Sequence, residues 1–156
     1  MKLDRLDARI VAELQKDGRR SVVELAGAIG LSGTPCARRI RLLEEAGVIQ
    51  GYTAVVDPAR LGLKVQAFVQ VKLERHTDEK LEQFRREVGA LEEIVSCYAT
   101  TGEHDYLLQV VAPDLDSLSA IVLKKLLKIP GVRDVHSSIV LDTVKRSVRV
   151  PLSHLE

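Results

Sequence analysis

The spacing of the apolar residues changes near residue 48, and this change constrains the fold more than any other feature of the chain. Before it, apolar side chains recur every three or four positions, as in LDRLDARIVAEL at 3–14, which is the period of an α-helix. After it, apolar and polar residues alternate, as in VQAFVQVKLE at 65–74, which is the period of a half-buried β-strand. The sequence therefore predicts a helical domain followed by a domain that contains a sheet.

The first part of the chain contains three predicted helices and a tight turn between the last two. Ser21, with a glutamate three positions later, has the capping-box pattern that begins a helix, and Gly30 is placed to end that helix. Ser32 is placed to cap a third helix, which continues to about Ala46. Two helices joined by a short turn containing glycine are typical of a helix-turn-helix. We therefore predict a helix-turn-helix domain over residues 1–50.

The rest of the chain predicts the order β-α-β-β-α-β. Residues 48–56 are extended and rich in β-branched residues, and a turn at Asp57-Pro58 follows, so 51–63 is interpreted as a strand and a linker. Residues 64–145 then match the ferredoxin-like arrangement, an antiparallel sheet with both helices on one face, and 146–156 form a tail. The predicted fold class is α+β.

The third predicted strand of the sheet, 106–112, is apolar on almost every side chain. A strand with no polar side is typical of one that is buried on both faces. Because the two helices cover only one face of the sheet, we expect another subunit to cover part of the other face. The sequence therefore predicts at least a dimer.

Charge and cysteine content limit the classes of function. The chain has 23 basic and 22 acidic residues, so a nucleic-acid role requires a local basic cluster. Two cysteines without a metal-type spacing favour a reducing compartment. The sequence shows no signal-peptide pattern, and no apolar run approaches the roughly 18 residues of a membrane span. We expect a cytoplasmic protein with no membrane partner.

A basic cluster is present around the third predicted helix. Segment 16–41 holds six basic and two acidic residues, a local net charge of +4. The second helix of a helix-turn-helix enters the major groove, and arginine reads guanine edges or clamps phosphates. The alternative is a solvated face of a small helical bundle. The candidate DNA-binding residues lie at the start of this helix, on the side opposite its apolar stripe or, for Arg39, on the flank of the helix. They are Ser32, Thr34, Pro35, Arg38, Arg39 and Arg41.

The stretch TTGEHDYLL at 100–108 suggests three kinds of site. An acid–base centre is disfavoured because, if Asp105 begins a strand, the neighbouring His104 and Asp105 side chains point to opposite faces. A metal site is disfavoured because the four histidines have neither helical ligand spacing nor a nearby cysteine. Those histidines are His76, His104, His136 and His154.

A binding loop is the third interpretation of this stretch. Gly102 lets the backbone approach a ligand, Asp105 can accept a hydrogen bond from an ammonium group, and Thr100 or Thr101 can bind a carboxylate. These groups suit a free amino acid. The same residues are also ordinary in a hairpin turn, and their chemistry alone does not decide between the two.

Several motifs resemble the Lrp/AsnC, or feast/famine, transcription regulators. The segment from LDRLDARIV to DPARLGL at 3–63 resembles their N-terminal domain, TGEHDYLL their glycine-x-x-aspartate-tyrosine turn, and PGVRDVHSSIVL their closing strand. The TPC of the third helix and the ending VPLSHLE are similar to the leucine-responsive branch. Leu42, where the family often has a basic residue, and Gly33, which weakens a helix start, depart from the pattern.

The resemblance implies a regulator that binds double-stranded DNA, is not an enzyme and needs no cofactor or metal. It implies a homodimer, assembled into octamers as in the family, that responds to a small amino acid such as leucine or methionine. It also implies an effector pocket between subunits. The residues that would line this pocket are Thr101, Gly102 and Asp105, with Ser137 and Ser138 of the last strand as contributors. Two alternatives remain: an enzyme like the sirohaem decarboxylases, which share this architecture, and an amino-acid sensor without DNA binding.

Overall fold

The computed structural model describes residues 2–74 and 77–155, which form two compact units. The first unit comprises Met1–Val55 together with Val144–Glu156, and the second comprises Val56–Thr143. The C-terminal tail therefore packs with the helical part of the chain. His76, one of the four histidines considered above, lies outside the described residues.

The described part of the first unit contains three α-helices, α1 (Arg5–Lys16), α2 (Val22–Ile29) and α3 (Gly33–Glu45), and a 3₁₀ turn, Ser153–Leu155, in the tail. The predicted capping box of α2 is confirmed, because the Ser21 side chain accepts a hydrogen bond from the Glu24 N–H and Glu24 accepts one from the Ser21 N–H. Gly30 ends α2 with a φ of 75°, a conformation that glycine adopts without strain. The small core of the unit consists of Ile10, Leu25, Ala26, Ile29, Cys36 and Leu43.

The second unit has the predicted β-α-β-β-α-β order. Its elements are β1 (Val65–Leu73), α4 (Asp78–Gly89), β2 (Ile94–Ala99), β3 (Tyr106–Ala112), α5 (Leu115–Ala120) and β4 (Val132–Ile139). Helix α5 continues through a π-helical turn, Ile121–Lys125, and a 3₁₀ turn, Leu126–Lys128, so the predicted single helix changes its winding along its length. The sheet order is β2-β3-β1-β4, and all three pairings are antiparallel. The predicted α+β class is confirmed.

The alternation of β1 decides which face of the sheet is buried. Its residues Ala67, Val69 and Val71 are fully buried in a core that includes Phe84 of α4, whereas Phe68 is exposed on the opposite face. The ring of Phe84 lies 4.5 Å, centroid to centroid, from that of Tyr106 on β3. The helices thus cover one face of the sheet, as predicted.

The strand predicted within 48–56 is not paired within the described chain. This segment has no regular secondary structure, and its Tyr52, Val55 and Val56 side chains are exposed. β-Branched residues favour an extended backbone, but a strand also needs a neighbour whose N–H and C=O groups it can pair with. The segment forms no ladder with any described strand. Among the described residues, no helix is long and apolar enough to cross a membrane.

Candidate DNA-binding and effector sites

The outer face of α3 presents most of the predicted DNA-binding residues to solvent. Thr34, Pro35, Arg38 and Arg41 are exposed, whereas Cys36 and Leu43 on the other side of the helix are fully buried. The proline lies in the first turn of α3, where a missing N–H costs no intrahelical hydrogen bond. The apolar side of α3 therefore fixes the helix on the domain and leaves its polar side available.

Ser32 occupies the predicted N-cap position of α3 with extended backbone angles, a φ of −82° and a ψ of 162°. Its side chain makes no cap hydrogen bond, which differs from the capping role that its position suggests. The hydroxyl is exposed at the start of α3. It is therefore available to an external acceptor such as a phosphate oxygen.

The three arginines of α3 have different surroundings. Arg38 forms no ion pair with any residue that the structure describes, and Arg41 lies 3.3 Å from Glu45, one turn further along the same helix. The Arg41 side chain is 71% exposed, and a pair of this kind contributes little because water and salt screen it. Both guanidinium groups can therefore exchange their present surroundings for phosphate or guanine.

Arg39 is held inside the domain. Its Nη1 donates to Asp7 Oδ1 at 2.7 Å and to Asp4 Oδ2 at 2.8 Å, and the Asp7 side chain is only 4% exposed. The pKa of the Asp4 carboxyl lies below its ordinary value of 3.8, mainly because Asp4 accepts a hydrogen bond from the Asp7 N–H and also because Arg39 is adjacent. The two carboxylates in turn raise the pKa of Arg39. Arg39 thus joins α3 to the start of α1.

Asp4 and Asp7 also form a capping box at the N-terminus of α1. Asp4 Oδ1 accepts from the Asp7 N–H at 2.9 Å, and Asp7 Oδ2 accepts from the Asp4 N–H at 3.1 Å. The sequence does not predict that these two residues pair with Arg39. Two acids three positions apart at the start of a helix are a signal for a cap only. One cluster therefore begins the first helix and anchors the third.

The turn between β2 and β3 contains three of the predicted effector residues. The Thr100 N–H donates to the Asp105 carbonyl at 2.9 Å, and the Thr100 hydroxyl donates to the His104 carbonyl at 3.2 Å, so Thr100 closes the turn. Thr101 and Gly102 lie exposed at its tip. Gly102 has a φ of 113°, and a Cβ added there would meet no atom within 4 Å. The turn thus requires glycine for its backbone and has open space above it.

Asp105 has a structural role that the sequence does not reveal. Its Oδ2 accepts a hydrogen bond from the Leu73 N–H at 2.7 Å, and its own N–H donates to the Val71 carbonyl at 2.9 Å. The residue is half-buried. Its carboxylate therefore ties the turn to the end of β1, in addition to any contact with a ligand.

Ser137 and Ser138 lie on β4, on the far side of β1 from this turn. Ser137 is opposite Val69 and Ser138 is opposite Phe68, and residues that face each other in an antiparallel pair share a face of the sheet. Ser137 therefore points to the helical face and Ser138 to the open face. Within one chain, the structure does not bring the five predicted effector residues into a single site.

His136 of β4 lies near this turn. Its ring centroid lies 6.4 Å from that of His104, although the two residues are 32 positions apart in the sequence. Only the sheet order, which the sequence does not specify, brings them together. Among the described residues, no three histidine, cysteine, aspartate or glutamate side chains are grouped closely enough to hold a metal ion.

Family comparisons match both units. The model of the AsnC-type helix-turn-helix domain matches residues 3–44, and the model of the Lrp/AsnC ligand binding domain matches residues 66–150. The chain belongs to the Lrp/AsnC family. The leucine-responsive regulatory protein of Escherichia coli K12 is 45% identical to this Lrp/AsnC protein over 148 residues, which cover 95% of this chain and 90% of that protein.

Solved structures of the family have the same architecture as this Lrp/AsnC protein. A transcriptional regulator from Neisseria meningitidis, in complex with L-methionine, matches with a TM-score of 0.94 and 41% identity and covers 99% of each chain. An AsnC family transcriptional regulator from Agrobacterium tumefaciens matches with a TM-score of 0.92 and 38% identity and covers 99% of this chain and 100% of that chain. The protein is therefore a helix-turn-helix transcription regulator, which confirms the choice of a regulator over the decarboxylase-like enzyme.

Proposed function

We propose that this regulator recognises operator DNA through the exposed face of α3. The proposal rests on the different surroundings of the three arginines. Arg38 and Arg41 are exposed, whereas Arg39 is bound to Asp4 and Asp7. Arg38 and Arg41 would contact guanine edges or phosphates. Ser32, Thr34 and Pro35 would contact the backbone at the start of the helix. The proposed function of Arg39 is to position α3, which revises its sequence-based assignment as a DNA contact.

A homodimer is part of this proposal. One helix with a few phosphate contacts binds DNA weakly and with little specificity, whereas a dimer reads two half-sites one helical turn apart. The open face of the sheet presents Phe68 and Tyr98, both exposed aromatic side chains, beside the largely apolar β3. Burial of such a face against a second copy is favourable. Dimers assembled into octamers, as the family resemblance implies, remain the proposed assembly in the cytoplasm.

We infer that a small apolar amino acid controls DNA binding from a site at the turn between β2 and β3. The methionine complex of the Neisseria relative and the leucine-responsive E. coli relative support this class of effector. Thr101 and Gly102 would bind the carboxylate, and Asp105 would accept from the ammonium group. Within one chain, these residues lie apart from Ser137 and Ser138. We therefore place the complete pocket between two subunits. The effector acts by preferring one state of the assembly over another.

The proposal is tested by measuring binding of the full-length protein to labelled DNA from its own upstream region. Wild type should bind, bind more tightly at low salt, and change affinity when L-leucine or L-methionine is added. Lack of binding by wild type, together with stabilisation by an amino acid, would instead show a sensor without DNA binding. Uptake of a coloured tetrapyrrole by the purified protein would support the decarboxylase-like alternative.

A further inference from the structure

The C-terminal tail, Val144–Glu156, contacts the first helix of the helix-turn-helix through a paired hydrogen bond. Gln15 Nε2 donates to the Val150 carbonyl at 3.2 Å, and Gln15 Oε1 accepts from the Val150 N–H at 2.7 Å. The side-chain amide of Gln15 thus satisfies both backbone groups of one residue, as a neighbouring strand would. This contact fixes which residue of the tail lies beside α1.

Apolar side chains continue the contact beyond this point. Leu152 and Leu155 are half-buried and line a cavity of about 170 Å³ together with Ala8 and Ala12 of α1. The two alanines are one turn apart, so their small side chains leave a shallow groove along the helix. The cavity is lined by Arg5, Ala8, Arg9, Ala12, Leu152 and Leu155. Leu152 and Leu155 therefore border this groove, close in sequence to the tail residue that Gln15 pairs with.

Helix α1 connects this groove with the DNA-binding helix. The tail lies along the row from Arg5 to Gln15, while Asp7, on the same helix, holds Arg39 of α3. A change in the packing of α1 can therefore reach α3 through the cluster of Asp4, Asp7 and Arg39, as well as through the core that the two helices share. The tail is also the continuation of β4, the strand that carries Ser137 and Ser138.

The docked state of the tail depends on few contacts. Residues 140–149 have no regular secondary structure, and Leu141 and Val144 are 97% and 95% exposed. The Gln15–Val150 hydrogen bonds are also exposed to solvent, where a hydrogen bond adds little net stability. Undocking of the tail from α1 therefore breaks few interactions, and a bound ligand can shift an equilibrium of this kind.

We propose that the tail is a coupling arm through which the effector changes DNA affinity, an inference that rests on the proposed function. The chain passes between its two units twice, at 55–56 and at 143–144. When the tail is docked on α1, the chain that crosses between the units at 143–144 leads into a segment bound to the helix-turn-helix unit. When it is undocked, only the segment that follows α3 joins them. An effector that favours one of these states thereby changes the fraction of molecules competent to bind DNA.

The test compares full-length wild type with the double variant L152A/L155A and with Gln15→Ala. The matched control is Val148→Ala, which removes an exposed apolar side chain of the tail outside the groove. Operator affinity is measured with and without saturating L-leucine or L-methionine, whichever of the two alters binding by wild type. We call L152A/L155A and Gln15→Ala the groove variants. The coupling arm predicts that the amino acid changes their operator affinity by less than about twofold, while it changes the affinity of the control as much as that of wild type.

Two outcomes would overturn the coupling arm. If wild type binds DNA and the groove variants keep the full response, the coupling arm is wrong and the proposed function stands. If wild type does not bind DNA, the proposed function fails and the coupling fails with it.

If circular dichroism shows that L152A/L155A is unfolded, Gln15→Glu replaces it in the test. Glutamate still accepts from the Val150 N–H but can no longer donate to the Val150 carbonyl. A response weaker than that of wild type supports the coupling arm, and an unchanged response overturns it. Hydrogen exchange of the α1 amides measures docking without DNA, and the coupling arm requires faster exchange in the groove variants.

Discussion

The guanidinium of Arg39 lies 2.7 Å from the carboxylate of Asp7, a side chain that is only 4% exposed. This contact joins α3, the proposed DNA-binding helix, to the first helix of the domain. Because the domain has a core of only a few fully buried side chains, one such contact is a sizeable part of what orients α3. The neighbouring arginines, Arg38 and Arg41, contribute nothing comparable inside the domain.

Arg39→Ala should therefore destabilise the first unit by about 2–3 kcal/mol, because it leaves the buried Asp7 carboxylate without its cation. Urea unfolding followed by circular dichroism measures this change. Arg38→Ala is the matched control and should alter the free energy of unfolding by no more than about 0.5 kcal/mol. Equal effects of the two substitutions would contradict the positioning role of Arg39.

Arg38→Ala and Arg41→Ala should each weaken operator binding by about 1–3 kcal/mol without loss of thermal stability. If a substituted side chain contacts a phosphate, the slope of log affinity against log salt should fall by about one per contact. Fluorescence anisotropy with labelled DNA at several salt concentrations measures both quantities. Binding curves that coincide with that of wild type at every salt concentration would exclude α3 as the DNA-binding surface.

These two predictions show what helical periodicity can and cannot establish. The period of α3 identifies the side that packs, and hence that Arg38 points away from it, because this depends only on neighbours within the helix. The environment of Arg39 depends on Asp4 and Asp7, more than 30 positions earlier in the chain. The sequence places Arg39 on the flank of the helix, but only the packing of α1 against α3 supplies its partners.

The same limit applies to the sheet. Alternation predicts β1 and its buried face correctly, since the pattern is local. The positions of Ser137 and His136 relative to the β2–β3 turn depend on strand order and register, which the residues of β4 do not encode by themselves. The absent strand within 48–56 has a related cause, because strand propensity cannot supply the neighbouring strand that a ladder requires.

Acidification should weaken the first unit partly through Asp4. The pKa of Asp4 is lowered in the folded state, so its carboxylate stabilises the fold above its unfolded pKa, near 3.8, and this contribution is lost as the pH falls through the lower folded value. The comparison is the unfolding free energy of wild type and Asp4→Asn between about pH 5 and pH 3. Wild type should lose more stability over this range. Parallel curves would show that Asp4 is not a source of the acid sensitivity.

Gly102→Ala should destabilise the second unit by about 1–2 kcal/mol, because a φ of 113° is strained for any residue with a Cβ. The added methyl group meets open space, so the cost arises in the backbone alone. Gly89→Ala is the control, since Gly89 lies in α4, has no positive φ and also faces open space. That substitution should be neutral or stabilising by up to about 1 kcal/mol in thermal unfolding. Equal losses would show that the turn tolerates a side chain at position 102.

The two roles of Asp105 can be separated by two substitutions. Asp105→Asn keeps an oxygen that can accept from the Leu73 N–H but removes the negative charge that would attract an ammonium group. Without ligand, its free energy of unfolding should lie within about 1 kcal/mol of that of wild type. It should nevertheless lose the stabilisation that L-leucine or L-methionine gives to wild type. Asp105→Ala leaves the Leu73 N–H without its acceptor, so it should cost about 1–3 kcal/mol even before any amino acid is added.

Thermal unfolding of the three proteins, each with and without the amino acid, provides the comparison. A ligand at about 100 times its dissociation constant stabilises a protein by about 2.7 kcal/mol, well above the expected difference between wild type and Asp105→Asn without ligand. If Asp105→Asn is stabilised as much as wild type, the carboxylate only holds the turn, and the ammonium group must be bound elsewhere. If it is not stabilised while its own stability is unchanged, Asp105 has both functions: one oxygen holds the turn on β1, and its charge selects the ligand.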